Sequence, residues 1–309
     1  MTTQAEPSRD LGDAQVALLS PLDRRRLQRG LRDFESVVVE LESVMARVQD
    51  LSALGPRHLY LGLPIGRDEL QQLLVALPTL VSVDLLLSSD EAVEALAAAP
   101  QLESVRIRRT RESVGIVGGM PALAALRSLE IAYWGPLAPG LLERVPQLER
   151  LHLDHTTLAA EDVRVLPTML ALRHLGLGTA GVDAPMLREV AACPGLEILD
   201  IADNSLKPQE TALVAKRSQL KELDLSRNRV DLAPLSDLPL RRLTLERAEL
   251  TFEDVPHLVG FSNLDSLNID DNNLGHDSGP ILAELLNLRA LHANGNRLEH
   301  GARHLGSLQ

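Results

Sequence analysis

The fold is decided by residues 196–206, which read LEILDIADNSL. Apolar side chains stand at the first, fourth and sixth positions, an asparagine at the ninth and a leucine at the eleventh. Residues 220–230 and 264–274 repeat the phrase. A phrase that returns at a fixed period indicates a stack of similar units, because one short unit can bury its apolar side chains only against its neighbours.

Weaker copies of the phrase extend over most of the chain. Eleven copies can be aligned, and most begin 24 residues after the previous one; they start at Pro56, Leu80, Leu102, Leu126, Leu148, Leu172, Leu196, Leu220, Leu240, Leu264 and Leu288. Even the early copies keep two apolar residues separated by one position, as in residues 59–61 and 83–85. This alternation predicts one short parallel strand per copy, with the apolar side chains inward.

The phrase resembles the repeat of leucine-rich repeat proteins. The resemblance covers residues 54–309 and implies an α/β fold. This fold is a leucine-rich repeat solenoid in the form of a right-handed horseshoe, with a parallel β-sheet on the concave face and short helices on the convex face. Members of this family are mostly binding scaffolds, so the resemblance also implies protein recognition through the concave face.

The ninth position of the repeat changes along the chain. A buried asparagine there can satisfy backbone groups of the turn that no strand reaches, and it is present at Asn204, Asn228, Asn272 and Asn296. Four copies carry a residue that cannot do this, namely Pro64, Trp134, Ala180 and Ala248. We expect local irregularity at those copies and a more regular solenoid in the C-terminal half.

The segments between the strands predict short outer helices. Residues 68–77, 160–166 and 184–190 carry apolar side chains at helical spacing. Prolines stand two residues before several of the repeats and should end the preceding helix. Residues 110–120 break this outer pattern and predict a protruding loop.

Residues 11–53 lie before the repeats and predict an N-terminal helical cap or a coiled-coil segment, and residues 1–10 are expected to be disordered. The helix should run from residue 20 to about residue 50. Apolar residues recur along it at spacings of four and three: Leu27, Leu31, Phe34, Val38, Leu41, Met45 and Val48. This seam either covers the first repeat, as a solenoid end requires, or pairs with a second helix.

Composition narrows the partners and the compartment. The net charge of −12 argues against nucleic acid and against an anionic membrane surface. Cys193 is the single cysteine, and no signal peptide or membrane-spanning run is visible, so a cytoplasmic location is expected. Only three of the 31 basic residues are lysines, which suggests the coding bias of a GC-rich bacterium.

Charged and aromatic residues divide the expected inner surface into two parts. The first half is basic and aromatic, and its candidate partner-binding residues are Tyr60, Arg106, Arg108, Arg109, Tyr133, Trp134, Arg150, His152, His155 and His174. The second half is acidic, with Asp200, Asp224, Glu246 and Asp270 as candidates. Arg, Tyr and Trp are frequent at binding hot spots, and an acidic stripe steers a basic partner. The alternative is a solvated face with scattered charge.

No catalytic, cofactor or metal site is predicted. His152, Asp154, His155 and His174 lie on adjacent strands and could approach one another as zinc ligands, but residues on a strand face more often only decorate the surface. Cys193 occupies a core position of its repeat. No phosphate-binding glycine loop or nucleophile elbow is present.

The sequence therefore predicts a non-enzymatic protein-interaction module. A second hypothesis is a regulator such as a GTPase-activating protein, with Arg106, Arg108 or Arg109 as the arginine finger. A third is an effector that acts on a host protein. A homodimer could form through residues 27–48 or through the C-terminal repeat edge, and the concave face, the N-terminal helix and the 110–120 loop all stay open as binding sites.

Overall fold

The structure is a computed structural model, and it describes residues 36–39, 52, 55–109, 119–216 and 219–298. The chain divides into two compact units, Met1–Arg127 and Ser128–Gln309. Each unit is described by itself below.

The first unit contains a parallel sheet. Its strands are β1 (Ser36–Val39), β2 (His58–Ile65), β3 (Ser82–Leu87) and β4 (Ser104–Arg109), and they lie side by side in chain order. Helix α1 (Arg67–Ala76) connects β2 to β3, and a 3-10 helix (Asp90–Ala98) connects β3 to β4. Each crossover returns the chain to the start of the next parallel strand.

The second unit repeats this plan with shorter elements. Its parallel strands, again in chain order, are β5 (Ser128–Pro136), β6 (Arg150–Thr157), β7 (His174–Gly176), β8 (Ile198–Asp200), β9 (Glu222–Asp224), β10 (Arg242–Thr244), β11 (Ser266–Asn268) and β12 (Ala290–His292). The connecting α-helices are α2 (Ala160–Val165), α3 (Ala184–Ala192), α4 (Pro208–Thr211), α5 (Val255–Val259) and α6 (Ser278–Leu282). Short 3-10 helices supplement them at Leu142–Arg144, Leu166–Thr168, Ala212–Lys216, Ala233–Leu235 and Phe252–Asp254.

Strand register follows the repeat. Leu175 pairs with Leu199, Leu199 with Leu223, and the same line continues through the leucines of β10 and β11. These leucines are at most 2% exposed. All eleven predicted copies have their strand where the sequence placed it, so the α/β leucine-rich repeat solenoid is confirmed. Helices α1, α2 and α3 coincide with the three predicted outer helices.

One part of the N-terminal prediction is wrong. Residues 36–39, which lie within the predicted helix of residues 20–50, form strand β1 and pair in parallel with β2. Ser36 is 22 residues before its partner His58, the same spacing as between the copies at Leu80 and Leu102, so this strand lies where a twelfth copy of the repeat would have its strand. Val38 is therefore a strand residue and not part of a helical seam. The disorder of residues 1–10, the rest of the cap or coiled-coil prediction and residues 110–118 of the predicted loop lie outside the described residues.

The ninth-position asparagines connect successive repeats. Asn204 accepts hydrogen bonds from the amides of Ala180 (3.0 Å) and Val182 (2.9 Å) one repeat earlier, and it donates to three carbonyls. Asn228 and Asn272 make the corresponding bonds to their own preceding repeats. Where this residue is an asparagine, the strand ends after three residues because the side chain holds the following turn.

The strands of the first five predicted copies, none of which has the asparagine, are longer, and two of their pairings are irregular. The strands of the copies with Ala180 and Ala248 have three residues each, like those with an asparagine. Strands β2 to β6 have six to nine residues each. The pairing shifts register between Tyr60 and Pro64, and again between Ala132 and Gly135. These shifts fall at the copies that carry Pro64 and Trp134, as expected. The copies with Ala180 and Ala248 show no shift, because Asn204 and Asn272 satisfy their backbone amides.

A left-handed residue precedes the ninth position in each later repeat. Thr179, Asp203, Arg227, Arg247 and Asp271 have φ values between 50° and 57°. This conformation costs a non-glycine residue roughly 1–2 kcal/mol. It turns the chain so that the next residue points into the core. The same conformation recurs with different side chains, so the path of the backbone requires it and the residue type does not.

Two further sequence inferences can be placed. Cys193 is fully buried at the end of α3, with its thiol 3.5 Å from the carbonyl oxygen of Glu189, so it is the predicted core thiol. No helix in the described part of the chain is long and apolar enough to cross a membrane.

Candidate functional site

The polar face of each unit is the side of its sheet that carries the residues alternating with the buried leucines. In β3, β8 and β9 the burial pattern alternates strictly, with partly exposed residues on either side of each buried one. Tyr60, Arg106 and Arg108 lie at such positions in the first unit. His152, His174, Asp200 and Asp224 do so in the second.

The other candidates occupy strands or strand ends. Arg109 ends β4, Tyr133 and Trp134 lie in β5, and Arg150 and His155 lie in β6. Glu246 and Asp270 each come two residues after the end of a strand. The side chains of Arg109, Tyr133 and Trp134 lie outside the described part of the structure.

In the first unit, Arg108 is held by two neighbouring strands. Its Nη2 lies 2.8 Å from Asp84 Oδ1 on β3, and its Nε donates to the same oxygen at 2.9 Å. Its guanidinium carbon lies 4.7 Å from the centre of the Tyr60 ring on β2, a cation–π distance. Burial lowers the pKa of Arg108, but hydrogen bonding to Tyr60 and the charge of Asp84 outweigh this, so the pKa is raised.

Arg106 adds to the same cluster. Its Nη1 lies 3.6 Å from Asp84 Oδ2, so both arginines share one carboxylate. The basic surface expected from the sequence is therefore partly neutralised from within. An arginine finger must be able to reach a phosphate on another protein. Arg108 already stacks on a ring and binds a carboxylate, which makes it a poor candidate for that role.

In the second unit, two positions of the polar face at and just after β7 are glycines and have no side chain. A Cβ at Gly176 would overlap the imidazole of His152, and a Cβ at Gly178 would lie 2.7 Å from Asp154 Oδ1. The side chains of His152 and Asp154 on β6 therefore extend over these glycines, into space that a larger residue would occupy. His152 Nε2 lies 3.6 Å from Asp154 Oδ1. The sequence showed the two glycines, but only the structure shows what covers them.

The histidines meet at an edge-to-face distance. The rings of His152 and His174 are 6.5 Å apart at 86°. Burial lowers the pKa of His174, and the neighbouring His152 and Arg150 lower it further, while Glu222 acts in the opposite direction. Among the described residues, no group of three or more His, Cys, Asp or Glu side chains is arranged to hold a metal ion.

Asp200 and Asp224 lie side by side on β8 and β9 and are in register. Each uses Oδ1 to accept a hydrogen bond from the amide two residues later, that of Ala202 (3.0 Å) and that of Ser226 (2.9 Å). Burial raises the pKa of Asp224, and the charge of Asp200 raises it further, against the hydrogen bonds from Ser226. Neither aspartate forms an ion pair within the described residues.

The remaining acidic candidates, Glu246 and Asp270, already have polar partners within the second unit. Glu246 Oε1 lies 3.7 Å from both Arg227 Nη2 and Arg247 Nη1. Asp270 Oδ1 accepts hydrogen bonds from the backbone and the side-chain amide of Asn294. The acidic stripe seen in the sequence thus separates into two groups. Some carboxylates bind their own neighbours, whereas the Asp200–Asp224 pair has no cation in the described part of the chain.

These features define a leucine-rich repeat fold with two charged polar faces. No protein-family model and no curated protein matches the chain. Among solved structures it is similar to internalin inlF from Listeria monocytogenes, with 20% identity, 84% of this chain and 69% of that chain covered, and a TM-score of 0.47. It is also similar to internalin C2 (inlC2) from the same organism, with 17% identity, 74% and 75% covered, and a TM-score of 0.42. The fold assignment itself rests on the repeat geometry of this chain.

Proposed function

We propose that this protein is a non-enzymatic interaction module, and that the polar face of its second unit binds a basic segment of a partner protein. The observation that carries the proposal is the Asp200–Asp224 pair. Two carboxylates at neighbouring positions repel each other, and this pair has no cation among the described residues to offset that cost. A partner lysine or arginine would supply the missing charge.

The surroundings of the pair suit a protein partner. Hydrogen bonds from the amides of Ala202 and Ser226 orient the two carboxylates, so a partner does not have to order them. The strands below are pinned by buried leucines and by the asparagine bonds. Gly176 on the neighbouring strand β7 and Gly178 just after it make room for His152 and Asp154, which lie over them beside the pair.

The pair also costs the protein stability. A carboxyl group whose pKa is raised on folding destabilises the folded state wherever it is ionised. An asparagine at position 224 would avoid this cost while keeping the hydrogen bond from the amide of Ser226. Charges that reduce stability are expected where a function requires them.

The test is affinity purification from the native cell with the full chain and two double variants. Asp200→Asn with Asp224→Asn should lose the partner or weaken its binding at least tenfold. Asp231→Asn with Asp237→Asn is the matched control, because Asp231 also accepts from the amide two residues later but lies on an outer segment. Equal recovery of the partner by both double variants would reject the polar face of the second unit as the binding site.

A further inference from the structure

A second surface of the second unit lies at the start of its strands. The residues directly before strands β7 to β12 form a row, comprising Arg173, Glu197, Lys221, Arg241, Asp265 and Arg289. Each of these residues after Arg173 donates its backbone amide to the carbonyl of the one before it, at 2.7–3.0 Å. The side chains of the row therefore follow one another at the strand spacing of ~4.8 Å.

The row borders an open groove of about 730 Å³. Three cations, Lys221, Arg241 and Arg289, and two carboxylates, Glu197 and Asp265, line the groove. Amide side chains complete the lining, including those of Gln219, Asn263 and Asn287. The Asn287 amide donates to the carbonyl of Ser262 at 2.8 Å, which fixes its orientation across the groove. Amides and guanidinium groups provide donors for both the backbone and the carboxylates of a peptide.

The basic residues of the row differ in whether their side chains form hydrogen bonds or ion pairs with described residues. Arg173 donates to the carbonyls of Leu170 (2.9 Å) and Leu172 (3.1 Å), and Lys221 binds Glu197 at 2.6 Å. Arg241 and Arg289 make no side-chain hydrogen bond or ion pair with any described residue. Asp265 lies one repeat from each of them, yet it pairs with neither. Two exposed guanidinium groups in one groove thus have no side-chain partner in the part of the chain that the structure describes.

We propose that this groove binds an acidic peptide segment of another protein, with Arg241 and Arg289 as the carboxylate-binding residues. This proposal does not depend on the binding proposed for the polar face, where the Asp200–Asp224 pair carries the opposite charge. Arg241 and Arg289 lie two repeats apart, or ~10 Å, a distance that two carboxylates two to four residues apart in an extended peptide can span. The whole row from Glu197 to Arg289 matches about six extended residues.

The charge of the protein makes this groove distinctive. With a net charge of −12, the chain repels acidic ligands in general, so an acidic peptide should bind only where cations are not already paired with carboxylates. Among the described residues of the groove, Lys221 is paired with Glu197, and Arg241 and Arg289 are the cations that remain. An arginine binds a carboxylate through two parallel donors, which gives geometric selectivity over a single point charge.

The probe is a fluorescein-labelled hexapeptide of alternating glutamate and serine, titrated with the full chain in a fluorescence anisotropy assay. The peptide should bind the parent, and binding should weaken as salt is added. Arg241→Gln with Arg289→Gln should weaken it at least tenfold. Arg164→Gln with Arg188→Gln removes the same charge from outer helices α2 and α3 and should change the affinity less than twofold. Circular dichroism verifies that both variants are folded.

Three results would overturn the proposal. The first is no measurable binding of the acidic peptide to the parent, and the second is an equal loss in the two double variants. The third comes from two comparison probes, a lysine–serine hexapeptide and a six-nucleotide single strand. If either binds through Arg241 and Arg289 as well as the acidic peptide does, the groove is not specific for a carboxylate-bearing peptide.

Discussion

Replacing Asn228 by alanine should be among the most destabilising polar substitutions in the second unit. Its side chain is 2% exposed and makes five hydrogen bonds. Its Oδ1 accepts from the amides of Asn204 (3.1 Å) and Leu206 (3.0 Å), and its Nδ2 donates to the carbonyls of Ile201 (2.9 Å), Leu225 (3.2 Å) and Ser226 (3.2 Å). Each buried group left unpaired costs ~1–3 kcal/mol. Two orphaned amides alone then predict a loss of about 2–6 kcal/mol.

Urea unfolding followed by circular dichroism and by tryptophan fluorescence measures the loss. Ser88→Ala is the comparison, because Ser88 is at the same repeat position but makes a single described bond, to the carbonyl of Ile65 at 3.0 Å. Its loss should be below about 1 kcal/mol. Asn228→Asp keeps the acceptor, loses the three hydrogen bonds that Nδ2 donates and adds a buried charge, so it should destabilise the protein at least as much as Asn228→Ala. Similar losses at Asn228 and Ser88 would refute the idea that the asparagines hold the repeats together.

Three further predictions concern single side chains. Leu223→Ala should lower the free energy of unfolding by ~2–5 kcal/mol, because Leu223 is 2% exposed. Leu286→Ala is the control and should have almost no effect, because Leu286 is 81% exposed. An unchanged melting temperature for Leu223→Ala would mean that the strand register is wrong. Thr179→Gly should stabilise the protein by about 0.5–1 kcal/mol, since the φ of 50° strains a β-branched residue more than glycine loses in chain entropy, and a lower melting temperature would contradict this. Asp224→Asn should raise the free energy of unfolding at pH 7, because the folded-state pKa of this acid lies above its ordinary value of 3.8. The gain should shrink as the pH falls through the folded-state pKa and vanish below the ordinary pKa. A gain that does not change with pH would reject an electrostatic cause.

The repeat made most of the fold predictable, and the exceptions have local causes. Leucine spacing alone placed eleven strands. The residue type at the ninth position predicted four irregular copies, which was confirmed for the copies with Pro64 and Trp134 and wrong for those with Ala180 and Ala248. Strand β1 was missed because residues 34–39 satisfy two patterns at once. Phe34 and Val38 fit a helical seam, while three consecutive valines favour a strand. The 22-residue distance to β2 was the signal that could have decided between them.

The charges of the polar faces were predictable, but their pairing was not. Asp84 lies directly opposite Arg106 in the strand register, yet Arg108, on the diagonal, makes the shorter contact because it also stacks on Tyr60. Such choices depend on side-chain rotamers across several strands, which a repeat alignment does not contain. The groove at the strand starts was overlooked for a related reason: its cations are one per repeat and far apart in the sequence.

The left-handed residues before the ninth position provide a ruler along the second unit. Thr179, Asp203, Arg227, Arg247 and Asp271 occupy equivalent backbone sites whose conformation does not depend on the side chain. Because the native thiol of Cys193 is fully buried, cysteines introduced there could carry spin labels selectively. Backbone sites at 203 and 271 are three repeats apart, or ~14 Å at the strand spacing. Distances between such labels would show whether the stack of repeats bends or stays rigid when a partner binds.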